Sequence, residues 1–125
     1  MKISGRDFGN KGETAAKDYL VAKGYTIEAL KWRKSRFEID IVASKKNLLV
    51  FVEVKTSRAS SLGPPELRVD KNKQQRIGQA ASEYIADLKE IPENIRFDVI
   101  GILWQSGPKP KITHMESAFI LDDDV

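Results

Sequence analysis

The sequence predicts an α/β fold in which a central mixed β-sheet is flanked by helices. Two segments rich in β-branched and aromatic residues, FEIDIVA (37–43) and LLVFVEVK (48–55), follow each other closely and read as a hairpin. Segments with helical periodicity lie before and after this pair. The order of helix, three strands, helix and one or two strands is typical of helices packed on a single sheet.

Periodicity and residues that start or stop an element place the helices and strands. Gly24 is a helix stop, Asp70 is a good N-cap, and Pro92 follows the end of the second helix. Residues 56–66, rich in Ser, Gly and Pro, are predicted to form a mobile loop, and residues 122–124 a frayed tail. The predicted elements are a helix at about 6–23, a strand at 25–30, strands at 37–43 and 48–55, a helix to about 89, a strand at 96–104 and an edge strand at 111–115.

Length and composition restrict the class of protein and the kind of metal site. The chain of 125 residues, 41% of them hydrophobic, fits one domain spanning residues 1–125. It has no apolar run of about 20 residues, and its first ten residues do not resemble a secretory signal, so we expect a cytoplasmic protein. With no cysteine and one histidine, His114, a metal would be held mainly by oxygen, which indicates Mg²⁺ or Mn²⁺.

The charge is mildly basic, with a net charge of +3 and a pI of about 9.1. This balance permits nucleic-acid binding but does not demand it, because many ordinary domains are equally basic.

The hairpin carries the candidate chemistry. Successive strand residues point to opposite faces. In the first strand Ile39 and Ile41 are predicted on one face and Glu38 and Asp40 on the other, and in the second strand Glu53 and Lys55 share a face. With an even loop centred between residues 45 and 46, Asp40 faces Phe51 and Glu53 is its diagonal neighbour on the same side. Two carboxylates a few Å apart repel, so one gains a proton or both share a divalent cation.

Each of these acidic residues also has a plainer interpretation. The hairpin charges are also compatible with an exposed sheet face that carries a Glu–Lys pair. The apolar residues predicted on the same face favour partial burial and therefore a metal site. Glu13, beside the apolar stripe of the first helix, is either a further metal or water ligand or a boundary residue favoured by the helix dipole.

Two basic clusters are candidates for contact with a nucleic-acid backbone. Lys71, Lys73 and Arg76 lie in the first turns of the second helix, where the helix dipole disfavours cations but attracts phosphate. The second cluster surrounds Trp32, a candidate for stacking on an unpaired base, and comprises Lys31, Arg33, Lys34 and Arg36. The alternative for both clusters is a solvated charged face.

Trp104 and His114 are assigned to packing and to the edge strand.

These residues resemble a known pattern. Asp40 followed by Glu53-Val54-Lys55 resembles the D…(D/E)-x-K core of restriction-endonuclease-like nucleases. From about residue 9 to 119 the chain more specifically resembles the YraN-like family of uncharacterised bacterial proteins, which are similar to archaeal Holliday-junction resolvases. The blocks that carry this resemblance are KGETAAKDYLVAKGY, EIDIVA, LLVFVEVKTSR, KNKQQRIGQAASEYI and RFDVIGI.

The resemblance implies a restriction-endonuclease-like core and roles for individual residues. Glu13, Asp40 and Glu53 would be the acidic metal residues and Lys55 the catalytic lysine. The basic residue that the family places after that lysine is displaced here and corresponds to Arg58. The cofactor would be Mg²⁺ or Mn²⁺ and the partner a nucleic acid, DNA before RNA. Related resolvases act as dimers, so by analogy a homodimer is expected.

Two functions from different classes follow. One is a metal-dependent endonuclease acting on phosphodiester bonds, with branched or repair-intermediate DNA as a candidate substrate. The other is a catalytically inactive nucleic-acid-binding or protein-interaction module that retains the nuclease fold. The complete set of Asp40, Glu53 and Lys55 favours the enzyme. Phe37, which stands where the family pattern usually has Gly, and the modest net charge favour the module.

Overall fold

A computed structural model describes residues 5–58, 67–104 and 108–121, with side chains from residue 9 onward. Its elements are helix α1 (Gly5–Ala22), strands β1 (Thr26–Lys34), β2 (Phe37–Lys45) and β3 (Leu48–Ser57), helix α2 (Lys71–Ala86), and strands β4 (Asn94–Leu103) and β5 (Lys111–Met115). The five strands form one sheet in chain order. Only β3 and β4 are parallel among the paired strands described, so the sheet is mixed as predicted.

The two helices cover opposite faces of the sheet. Ala16 and Leu20 of α1 pack on one apolar face, and Ala80 and Ala81 of α2 pack on the other. Since β3 and β4 are parallel, the chain must cross over between them, and α2 lies in that crossover. This layered α/β arrangement confirms the predicted fold class and is consistent with a restriction-endonuclease-like core. The sheet residues beneath α1 include Ile41, Ala43, Val50, Val52, Ile100 and Ile102, and those beneath α2 include Ile39, Val42, Leu49 and Phe51.

Several element ends agree with the prediction. The Asp70 side chain accepts a hydrogen bond from the Lys73 amide at 2.8 Å, so Asp70 is the N-cap of α2. Strand β5 has the predicted bounds.

The end of helix α2 differs from the prediction. The helix ends at Ala86 rather than near 89, and the amide of Asp87, its C-cap, donates hydrogen bonds to carbonyls of the last turn.

Strand β1 is longer than predicted. It extends to Lys34 and pairs with β2 through a two-residue turn at Ser35 and Arg36, in which Ser35 takes a φ of 58°. The predicted basic run is therefore divided between an edge strand and a turn. The prediction stopped at residue 30 because the following charged residues are weak strand formers in isolation. Pairing with β2 overrides that local preference.

The register of β2 and β3 differs from the prediction. Lys45 pairs with Leu48, so the turn has two residues, 46 and 47, and Lys46 takes a φ of 57°. The pairing of Val42 with Phe51, continued along the strands, places Asp40 level with Glu53 rather than with Phe51. The prediction of an even loop holds, but its centre lies one residue further along the chain.

Side-chain alternation in β2 is interrupted at Asp40. Ile41 packs beneath α1, whereas Ile39, two residues away, packs beneath α2 with Val42. The prediction that Ile39 and Ile41 share a face is therefore wrong. On the neighbouring strand, Lys31 has a left-handed φ of 51°, which marks a local distortion of the pair at this level.

Two sequence predictions fall partly outside the described residues. Thr56 and Ser57 belong to β3 rather than to a loop. Residues 59–66 of the predicted mobile loop and the predicted frayed tail at 122–124 lie outside the described residues. Within the described ranges, neither helix combines the length and the apolar character needed to cross a bilayer.

Candidate metal and nucleic-acid site

The candidate site lies where β2 and β3 separate. The assigned ladder between these strands ends at the pair of Ile41 and Val52. Beyond it, the Asp40 carboxylate accepts a hydrogen bond from the Val54 amide at 2.8 Å. A side chain thus takes the place of a backbone acceptor, and the Asp40 carboxyl group is held between the two strands.

The carboxyl groups of Asp40 and Glu53 meet at this point. Burial of Asp40, its hydrogen bond and charge interaction with Glu53, and the more distant charge of Glu13 together raise the pKa of Asp40 to about 8. The Val54 amide acts in the opposite direction but is outweighed. Asp40 therefore keeps its proton at neutral pH and donates it to Glu53 in a hydrogen bond.

A cation from α2 already contacts this pair. The Lys73 ammonium lies 2.6 Å from Glu53 Oε2, and only 11% of the Glu53 side chain is exposed. The hydrogen bond to Glu53 raises the pKa of Lys73, so this ammonium stays charged. Lys73 therefore neutralises Glu53 when no metal is present.

Glu13 approaches the pair from α1. Burial raises the pKa of Glu13, the Lys31 charge opposes that shift, and the charges of Glu38 and Glu53 add to it. Glu13 Oε1 is buried and has no hydrogen-bond partner among the described residues. No group of three or more His, Asp or Glu side chains in the described ranges is arranged to hold a metal ion. The carboxyl groups in contact are Asp40 and Glu53, with Glu13 nearby as a third charge.

Gly12 sets the distance between α1 and β3. A Cβ atom at Gly12 would overlap the Thr56 hydroxyl, so the helix backbone packs closely against the strand at this residue. Glu13 is the next residue along α1. The close contact therefore brings Glu13 to the level of the carboxyl pair.

Changing Gly12 to alanine should destabilise the protein by about 1–3 kcal/mol, because α1 must move away from Thr56. Gly9, in the same helix, has open space around the position of a Cβ and provides the control. Gly9→Ala should be neutral or gain up to about 1 kcal/mol from helix propensity. Urea unfolding of both variants checks this, and equal stabilities would contradict the close-contact argument.

Lys55 lies two residues beyond Glu53 on the same strand. Its ammonium donates a hydrogen bond to the Arg68 carbonyl at 2.6 Å, just before α2. This contact helps to fix the direction of a long and flexible lysine side chain. The Lys55 side chain thus has a defined position, and Lys55 lies two residues from Glu53 in the sequence.

The other predicted nucleic-acid residues are distributed unevenly. Lys73 and Arg76 line a common cavity with Arg36. Arg33 pairs with Glu38 at 3.1 Å, and the Trp32 ring packs edge-on against Tyr84 of α2. Of the residues predicted from the two basic clusters, Arg36, Lys73 and Arg76 therefore line this cavity. Lys71 and Arg58 are exposed at the start of α2 and at the end of β3.

Sequence reasoning missed a buried polar network on the α1 face. Asp98 is 1% exposed, and it accepts hydrogen bonds from Arg96 Nε at 2.8 Å, from His114 Nε2 at 2.7 Å and from the Ser117 amide at 3.1 Å. Arg96 also donates to the Tyr25 hydroxyl at 2.6 Å. A sequence signal existed, since an aspartate inside an apolar strand with an arginine two residues earlier indicates a buried pair.

The fold and the site together define a class: an α/β protein with a mixed sheet and a carboxyl pair between two neighbouring strands. The chain belongs to the Uncharacterised protein family UPF0102, whose family model matches residues 12–102. This agrees with the resemblance to YraN-like proteins.

Curated relatives match over most of the chain. A UPF0102 protein of Geobacter metallireducens is 40% identical over 121 residues, covering 97% of this chain and 98% of the relative. A second, from Bacteroides thetaiotaomicron, is 42% identical over 113 residues, covering 90% and 92%. A third, from Thermodesulfovibrio yellowstonii, is 43% identical over 114 residues, covering 90% and 96%.

Proposed function

We propose that this protein is a metal-dependent endonuclease that hydrolyses phosphodiester bonds of nucleic acid, with branched or repair-intermediate DNA as its substrate. The observation that carries the proposal is the contact between the Asp40 and Glu53 carboxyl groups, held by the Val54 amide. A divalent cation can take the place of the proton that Asp40 holds against Glu53.

The residues present fit Mg²⁺ or Mn²⁺. Mg²⁺ is commonly held by one or two carboxylates together with water and substrate phosphates, which matches Asp40 and Glu53. Glu13 Oε1, buried and without a hydrogen-bond partner among the residues that the structure describes, is a further oxygen donor from α1. When bound, the ion supplies charge stabilisation at the phosphoryl group and activates water.

The chain's own cations would act on the substrate. Lys55, oriented by the Arg68 carbonyl, can hold an attacking water or stabilise charge that develops on the phosphoryl group. Lys73 can leave Glu53 and contact a substrate phosphate, which would free the carboxylate for the cation. The exposed Arg76 offers a second phosphate contact one turn further along α2.

A cleavage assay tests the proposal. The substrates are end-labelled four-way junction, flap, duplex and single-stranded DNA, each with Mg²⁺, Mn²⁺ or EDTA. Lys55→Ala should reduce cleavage by about 100-fold or more, because a charge-stabilising group is lost. Lys89→Ala, in an exposed lysine beyond the other end of α2, is the control and should cut as the wild type does.

The pair of Glu53 and Lys73 favours the second candidate, a nucleic-acid-binding or protein-interaction module without turnover. At 2.6 Å the ammonium neutralises the carboxylate in the way that a metal otherwise would. A protein that binds DNA in this assay and never cuts it would support this candidate, and Phe37→Gly would then be the first variant to test for restored cleavage.

Binding itself should be weak, salt-sensitive and independent of Lys55. Changing Lys71, Lys73 and Arg76 together to glutamine should flatten the slope of log affinity against log salt by about three units, one for each lost phosphate contact. Lys55→Ala should leave the slope and the affinity nearly unchanged. A salt titration of fluorescence anisotropy measures both, and a wild type that binds no DNA at low salt would refute the nucleic-acid proposal.

A further inference from the structure

A cavity of about 590 Å³ opens between the β1–β2 turn and the first turns of α2. Arg36, Phe37 and Glu38 line it from the sheet, and Lys73, Arg76 and Ile77 line it from the helix. Its volume falls within the range of about 300–1,000 Å³ that is typical of small-molecule sites. The cavity is therefore large enough for one nucleotide.

One wall of this cavity is a stacking surface. The Arg36 guanidinium lies over the Phe37 ring, 5.5 Å from its centroid. Phe37 also packs against the apolar cluster beneath α2, which keeps the ring in place. Planar guanidinium groups and aromatic rings both stack on unpaired bases. Arg36, supported by the Phe37 ring, thus offers a positively charged group on which a base can stack.

The cavity also carries an excess of positive charge. Arg36, Lys73 and Arg76 are exposed cations, whereas its acidic member, Glu38, is paired with Arg33 at 3.1 Å. The cations from α2 are opposite the stacking surface. A ligand with an anionic group at one end and a flat ring at the other can contact the α2 cations and the stacking surface at the same time.

The cavity adjoins the carboxyl pair. Lys73, which forms part of its wall, contacts Glu53 at 2.6 Å, and Glu38 is two residues from Asp40 on the same strand. A nucleotide in the cavity would therefore place its phosphate beside the carboxyl pair.

We propose that this cavity binds one unpaired nucleotide of a nucleic-acid strand, with the base on Arg36 and Phe37 and a phosphate at Lys73 and Arg76. A paired base cannot enter such a cavity without leaving the helix stack. The substrate class is therefore a strand with an unpaired nucleotide, as in a flap, a gap or a junction. The position of the cut beside that nucleotide rests on the proposed function, whereas binding of the nucleotide does not.

Binding without a divalent ion tests this inference separately from cleavage. The probe is a single-stranded oligonucleotide with one central 2-aminopurine, compared in EDTA with the same oligonucleotide carrying an abasic residue at that position. The wild type should quench 2-aminopurine fluorescence and bind the base-containing strand about tenfold more tightly than the abasic strand, since one stacked base contributes that much.

Variants separate the two walls. Phe37→Leu keeps an apolar side chain in the cluster but removes the ring, so the preference for the base-containing strand should fall to about twofold or less. Arg36→Ala, in the exposed turn, should also lower the preference for the base-containing strand, without disturbing the core. It replaces Phe37→Leu as the test variant if Phe37→Leu fails to fold. Arg76→Gln should weaken both oligonucleotides alike, because it removes a phosphate contact.

The outcomes are distinct for the two proposals. Equal affinity for both strands, or quenching that survives Phe37→Leu and Arg36→Ala, overturns the nucleotide site and leaves the nuclease proposal standing. A base preference that depends on both residues supports the nucleotide site even if no DNA is ever cut. Efficient cleavage of fully paired duplex, with no preference for unpaired substrates, would also count against this substrate class.

Discussion

Changing Asp40 to asparagine should stabilise the metal-free protein at pH 7 by about 2–4 kcal/mol. Burial and contact with Glu53 raise the pKa of Asp40 to about 8, far above the value of about 3.9 in an unfolded chain. Between these values the native state holds a proton that the unfolded state has lost. The contribution that the Asp40 proton makes to the stability of the wild type is therefore fully present below about pH 4 and is lost as the pH rises towards 8.

Asparagine is neutral at every pH, so the variant should lose this dependence. Urea unfolding in EDTA at pH 5, 6, 7 and 8 measures it. Asp18→Asn is the control, because Asp18 is exposed and pairs only with neighbouring Lys17 among the contacts described. Parallel stability profiles for wild type and Asp40→Asn would show that Asp40 is ionised in the native state.

The same variant should bind no Mg²⁺ or Mn²⁺. One of the two carboxylates in contact is lost, and a single glutamate paired with Lys73 offers too little charge to offset dehydration of the ion. In the wild type, metal affinity should rise with pH up to about 8, because the ion must displace the proton on Asp40. Calorimetry measures both, and wild-type affinity in Asp40→Asn would refute the ligand assignment.

Changing Asp98 to asparagine should also change the stability strongly, but it should destabilise the protein. Removing one charge of a buried ion pair costs about 3–5 kcal/mol, because the other charge, here Arg96, loses its buried partner. Asp98 is 1% exposed and holds both Arg96 and His114. Glu116→Gln is the control, since Glu116 also contacts Arg96 but its side chain is 55% exposed, and its change should be small.

The acid range gives an independent check on Asp98. Burial alone would raise the pKa of Asp98, but hydrogen bonds from His114, Arg96 and the Ser117 amide outweigh it and hold the pKa below its usual value. This stabilisation is present above about pH 4 and is lost as the pH falls through the native pKa. Asp98→Asn should therefore be less sensitive to acid than the wild type, and equal acid sensitivity would contradict this role.

The sequence predicted those parts of the fold that depend on local patterns. The cap at Asp70 and the edge strand Lys111–Met115 follow from residue type and short-range periodicity, and both are confirmed. The register of β2 and β3 is different, because it depends on which residues take the turn, and Lys46 with its left-handed φ carries no glycine-like signal. An error of one residue in the turn centre therefore changed the partner of Asp40.

Only part of the candidate site was accessible from the sequence. The meeting of Asp40 and Glu53 follows from the even turn, which preserves side-chain parity. The pairing of Glu53 with Lys73 joins a strand to the crossover helix, and its geometry depends on how α2 docks. The break in alternation at Asp40 depends on the distorted backbone at Lys31 in a neighbouring strand. Contacts between segments that are distant in the sequence produce no periodic pattern from which they could be predicted.

The strand order has a consequence for how the site is assembled during folding. Strands β1, β2 and β3 form an antiparallel meander with short turns, so this unit closes with little loss of chain entropy. The parallel pairing that joins Leu48 to Asn94 is non-local and is expected to form later. Both acidic side chains belong to the early unit, whereas Lys73 docks with the late crossover. This order of assembly is expected to bring Asp40 and Glu53 together before Lys73 docks.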